Sequence, residues 1–142
     1  MSKASRVSRF VVLSAIAVGL VGAAFASTAS AKRFVTKDGN VACIMRAHFV
    51  RCDMSKHSWK SPPKPKSCEF DFGSSFYIDN KGKSGFACVS DATGASVKYP
   101  PGTKFQTGDN VCHLRKHGKV LCKHNGGRDG GFNISRKRYE LF

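Results

Sequence analysis

The chain has 142 residues, with 24 Lys and Arg against nine Asp and Glu and a formal charge of +15. That length predicts one domain with a modest core. The charge excludes attraction to cationic partners and bears on solubility and on contact with polyanions.

Residues 1–31 read as an export leader. Lys3, Arg6 and Arg9 precede an apolar run over 10–25, and Ala29-Ser30-Ala31 supplies small residues for cleavage ahead of Lys32. The run is shorter than the ~20 residues a bilayer span requires, so no transmembrane segment is expected once the leader is cut. Neither a cysteine nor a twin-arginine pair occurs in the leader, which points to the general export route without lipid anchoring. The expected location is therefore extracellular or within the cell envelope. Residues 32–142 form one expected domain, with a formal charge of +12 because the leader holds three of the cations. That domain keeps all six cysteines, an even number in an exported chain, as expected of three disulfides.

Along this domain, short runs rich in Val, Phe, Ile and Tyr alternate with Gly, Asn, Asp and Pro. The runs are RFVT (33–36), VACIM (41–45), FVRCDM (49–54), SFYID (75–79), GFACV (85–89), NVCHL (110–114) and KVLCK (119–123). No long window has helical spacing, so the fold class is all-β, a small disulfide-stapled antiparallel sandwich or barrel. Residues 56–66, KHSWKSPPKPK, hold three of the five prolines and read as an extended arm. GFNIS (131–135) reads as a last strand, after which Ser135 would cap a short helix over 136–142. A weak echo links Gly39-Asn40-Val41-Ala42-Cys43 and Arg51-Cys52 to Gly108-Asp109-Asn110-Val111-Cys112 and Leu121-Cys122.

The stretch VCHLRKHGKVLC (111–122) has three readings: a metal finger, a nucleophile with its base, or a clasped hairpin. As a hairpin with Lys116-His117-Gly118 as its loop, Gly118 takes the left-handed position, Arg115 faces Lys119, and Cys112 falls opposite Cys122. This is a non-hydrogen-bonded pair, where side chains approach closely enough for a disulfide. The same construction on 41–54, with Ala47-His48 as the loop, sets Cys43 opposite Cys52. It gathers Val41, Cys43, Met45, Val50, Cys52 and Met54 on one face. Elimination leaves Cys68 with Cys88. A zinc site is not expected, because Cys112 and His113 point to opposite faces and no C-x2-C pair occurs. His117 and His124 read as solvated loop residues. No metal or other cofactor is expected.

Several stretches resemble a family of small secreted actinobacterial proteins with a cysteine-rich domain of unknown function. They are DGNVACIM (38–45), VRCD (50–53), the Trp59, Pro62, Pro63, Pro65 and Cys68 segment, FACVSDAT (86–93) and GGFNISRKRYELF (130–142). The resemblance implies export and a cysteine-stapled β domain, and it implies no activity and no site residues. The high positive charge and the YPPG segment (99–102) depart from that family.

Two concentrations of cations are candidate polyanion contacts. Lys56, Lys60, Lys64 and Lys66, with His57, surround Trp59 on the arm, where the indole would stack or insert. Arg115, Lys116, Lys119 and Lys123, with His117, belong to the second hairpin, and Arg128, Arg136, Lys137 and Arg138 follow. On the hairpin, His113, Arg115, Lys119, Leu121 and Lys123 share the face opposite the disulfide. The expected role is non-catalytic: contact with an anionic cell-wall polymer, a membrane surface or another polyanion. The bland reading is a solvated surface that only keeps the chain soluble. A small ribonuclease is one alternative, yet neither Glu69 nor Glu140 sits in a motif with a histidine, and no catalytic residue is assigned. A protease-inhibitor-like module that presents a clasped loop to a protein partner is the other. Asn133-Ile134-Ser135 matches a glycosylation acceptor.

Overall fold

A computed structural model describes residues 30–142, and the export-leader reading falls outside the described residues. The first sheet contains β1 (Lys32–Thr36), β2 (Val41–Arg46), β3 (Phe49–Met54), β4 (Ser75–Ile78), β5 (Ser84–Phe86) and β6 (Lys98–Tyr99), in the order β5-β4-β3-β2-β1-β6. The second contains β7 (Lys104–Thr107), β8 (Asn110–Arg115), β9 (Lys119–His124), β10 (Gly131–Ile134) and β11 (Tyr139–Leu141), in the order β11-β10-β9-β8-β7. All pairings are antiparallel except that of β6 with β1. The protein is an all-β sandwich.

Each sheet turns toward the core one row built on the same plan, its outermost member in the second sheet, Leu141, being exposed. In the first, Phe34, Cys43, Cys52, Phe76 and Phe86 stand side by side across β1 to β5. In the second, Phe105, Cys112, Cys122, Phe132 and Leu141 do so across β7 to β11. The rows meet in the core. Phe34 stacks on Phe105 with ring centroids 4.1 Å apart, and Phe76 lies 5.7 Å from Phe132. The echo in the sequence is thus one meander used twice. Even its edge bonds repeat, since the Ser55 amide donates to the Asn40 carbonyl as the Asn125 amide donates to that of Asp109.

The disulfides join Cys43 to Cys52 and Cys112 to Cys122, as the two hairpin registers predict, and Cys68 to Cys88, as elimination predicts. They leave no free thiol and fit an oxidising, extracellular type of environment. Val41, Cys43, Met45, Val50, Cys52 and Met54 are all buried together, as expected of one core-facing hairpin. Among the described residues no helix is long and apolar enough to cross a membrane.

The C-terminal helix expected over 136–142 is not formed; β11 takes its place. A seven-residue helix would be marginal in water. As a strand, the segment instead pairs Tyr139 with Ile134 and packs its ring against Trp59, Phe76 and Phe86. GFACV is a strand only as far as Phe86, and beyond it Val89 bridges to Asp71 while Cys88 turns to meet Cys68. Strands β6 and β7 are additions to the sequence reading.

Candidate anion-binding surface

The cationic surface is a by-product of strand alternation. With Cys112, Leu114, Val120 and Cys122 turned into the core, the intervening residues of β8 and β9 must face solvent. His113 lies between Lys104 of β7 and Leu121 of β9, and the row continues through Asn133 to Glu140. Arg115 faces Lys119, and Val111 faces Lys123. The one acid in these rows, Glu140, accepts a hydrogen bond from Asn133 Nδ2 at 3.1 Å. Partial burial, then the charges of Lys104, Arg115 and Lys123, hold His113 below the ordinary imidazole value. Lys123 places its ammonium 5.7 Å from the centre of the Phe142 ring.

At one end this face opens into a groove of about 620 Å³, lined by His117, Lys119, Ser135, Arg136, Lys137 and Arg138 without a carboxylate. One wall is the turn between β8 and β9. Lys116–Gly118 form a single 3₁₀ turn in which Gly118 has φ +65 as expected, and His117 also adopts the left-handed region at φ 60. Gly118 is required twice over, because a Cβ there would lie 2.5 Å from Asp38 Oδ2. The other wall is the turn between β10 and β11. Ser135 Oγ donates to the Arg138 carbonyl at 3.0 Å and accepts from the Arg138 amide at 3.2 Å, which closes the turn and throws three cationic side chains outward. Arg136 Nη2 reaches Asp38 Oδ2 at 3.5 Å. Burial opposes the charge on Asp38. The Thr36 hydroxyl, the Asn40 amide and Arg136 outweigh it and hold the carboxyl below its usual range.

The two cation sets of the sequence analysis separate here. Arg115, Lys119 and Lys123 join Lys104 and His113 on the sheet face, and Lys116 is exposed at the hairpin tip. Lys56, Lys60, Lys64 and Lys66 are exposed along the arm and line no part of the groove. Trp59 is not available to stack on or insert into a ligand. Its Nε1 donates to the Ser135 carbonyl at 3.0 Å, its ring meets Tyr139 at 4.8 Å, and His57 covers it at 3.6 Å. The arm therefore acts as a brace: Ser58 binds the Arg136 carbonyl through both its amide and its hydroxyl, fixing the groove wall. Arg136, Lys137 and Arg138, which the sequence reading set after the second hairpin, do join it here, and Lys104 and Ser135 are the contributors it did not gather.

His124 is buried, contrary to its reading as a solvated loop residue. Its Nδ1 lies 3.0 Å from Asn110 Oδ1, and Asn110 Nδ2 donates to the carbonyls of Arg46 and Ala47. Ser135 in the glycosylation-type triplet is buried and engaged in its turn. The carboxylates concentrate elsewhere. Asp53, Asp71 and Asp91 border one depression beside the first sheet. There Arg51 grips Asp53 through two bonds of 2.8 Å and meets Asp91 Oδ1 at 2.9 Å.

No family model, curated protein or solved structure matches this chain. The chemistry of the surface therefore carries the functional argument. Lys and Arg side chains around a concave wall suit charge-assisted contact with phosphate, sulfate or carboxylate groups.

Proposed function

We propose that this is a secreted, non-catalytic protein that holds an anionic polymer of the cell envelope or extracellular space against its second sheet. The observation that carries the reading is the carboxylate-free groove formed by His117, Lys119 and the 135–138 turn, continuous through Lys119 with the cationic face of β8 and β9. The export leader, the resemblance to a secreted family and the disulfides favour action outside the cytoplasm.

Retention on a phosphate-bearing resin at rising salt tests this. The oxidised protein should elute well above about 0.15 M salt, where exposed charges are screened beyond ~8 Å. Two variants separate geometry from net charge. Lys119→Gln/Arg136→Gln/Arg138→Gln removes three charges, and Lys60→Glu/Lys64→Glu/Lys66→Glu reverses three on the arm. The first should elute much earlier than the second, although the second alters net charge more. Elution of the unmodified protein near physiological salt, or a larger loss in the arm variant, would overturn the reading.

A further inference from the structure

A second hollow adjoins the cationic groove. It has a volume of about 510 Å³, and Tyr99, Pro101 and the buried Leu114 give it an apolar side, with Lys37, Asp38 and Arg115 around them. His117 lines both hollows, and the Asp38–Arg136 pair spans from one to the other. Each volume falls within the range of about 300–1,000 Å³ usual for small-ligand sites.

The apolar side is rigid. Tyr99 is paired to Thr36 of β1 through β6, and its ring stands edge-on to Phe105 with centroids 5.0 Å apart. Phe105 in turn stacks on Phe34 in the core. Pro101 follows in a turn with little freedom of its own. A fixed aromatic face beside a proline offers flat contact area at small entropic cost, suited to the C–H face of a sugar ring. The YPPG segment and the cationic groove thus meet at His117.

We propose that the two hollows form one two-part site for an acidic glycan. A sugar ring lies on the Tyr99–Pro101 ledge, and its acidic substituent enters the groove past His117 to meet Lys119, Arg136 and Arg138. This rests on the polyanion reading above and names its ligand class: a carbohydrate chain bearing acid groups, in place of charge alone.

Calorimetric titration with three probes tests it: dextran sulfate supplies sugar and charge, inorganic polyphosphate charge only, and neutral dextran sugar only. Tyr99→Leu keeps an apolar packing partner for Phe105 but removes the aromatic face. It should weaken dextran sulfate about five-fold, the usual worth of one aromatic contact, and leave polyphosphate unchanged. Should Tyr99→Leu fold poorly by circular dichroism, Pro101→Ser, a change at an exposed position, takes its place with the same expectation. Saturation transfer from protein aromatic protons to the sugar C–H protons of dextran sulfate provides a readout without mutation, and its absence overturns the proposal. Equal effects of the variants on dextran sulfate and polyphosphate, or none on either, also overturn it while leaving polyanion binding standing. Tighter binding of single-stranded RNA than of dextran sulfate would replace the glycan with a nucleic acid. No binding to either polyanion would remove the parent reading as well.

Discussion

Replacing Cys112 and Cys122 together by Ala tests whether the clasp stabilises the fold without shaping the charged face. The bridge closes a loop with a sequence separation of 10. The chain-entropy model assigns such a loop about 2.7 kcal/mol. Both cysteines are fully buried between Phe105 and Phe132, so the lost sulfur packing adds roughly 1–2 kcal/mol. The expected cost is about 4 kcal/mol, a large share of the ~5–15 kcal/mol that a domain possesses. At roughly 4–8 °C per kcal/mol for a domain near 100 residues, Tm should fall by some 15 °C or more. Urea unfolding followed by near-ultraviolet circular dichroism gives the free energy directly. The twin variant, Cys43→Ala/Cys52→Ala, with a separation of 9, should lose nearly the same amount. Polyphosphate affinity of the folded clasp variant, measured in the cold, should stay within about three-fold of the unmodified protein, because the cations lie across the strand from the sulfurs. A cost below about 1 kcal/mol would refute the entropic reasoning. A large loss of affinity in a still-folded variant would refute the claim that the two faces are independent.

Four further outcomes follow from particular contacts. Because His113 sits below its ordinary value of 6.5 in the folded protein, the unfolded chain takes its proton first. Its contribution is then complete above that value and declines as pH falls through it, so urea midpoints should drop between about pH 7.5 and about pH 5, less steeply in His113→Gln; equal slopes would exclude the effect. His124→Met should cost about 1–3 kcal/mol by leaving buried Asn110 Oδ1 unpaired, and the double variant Asn110→Val/His124→Met, which copies Val41 and Met54 of the other meander, should cost less than the single one by the same measurement. Gly118→Ala should lose about 1–3 kcal/mol to its left-handed backbone and to Asp38, whereas His117→Gly should be neutral or stabilising in thermal melts. Lys104→Gln/Lys123→Gln should leave stability unchanged or slightly raised, move the His113 resonance titration upward, and weaken polyphosphate binding; lower stability would mark those lysines as structural.

The two hairpins could be read from the sequence because a cysteine pair, a short loop and strict alternation each demand the same register. Residues 104–107 and 139–141 could not. Their strands are short, and each contributes one aromatic, Phe105 or Tyr139, that packs against the core. Ser135 followed by basic residues looks like a helix start until the burial of Tyr139 among Trp59, Phe76 and Phe86 is known. The groove was out of reach for a related reason: it brings the 116–119 hairpin end to the 135–138 turn. That turn is braced by Trp59, 76 residues away along the chain. A basic count identifies the polarity of a surface, but concavity arises from contacts distant in sequence.

The repeated interior also accounts for how such a surface can arise. Phe, Cys, Cys and Phe occupy equivalent places in both sheets, so the core fixes every second residue of the central strands and leaves the alternate ones unconstrained. On the first sheet one of those positions, Arg51, is gripped by Asp53 and Asp91, while Arg33 and Arg46 are exposed. On the second the free positions became Arg115, Lys119 and Lys123, none of which has an ion-pair partner among the described residues. Mutual repulsion among them is a standing cost to the folded chain. Unpaired like charges kept on one face of a doubled scaffold are what a docked polyanion would neutralise, and the release of that repulsion adds to the affinity.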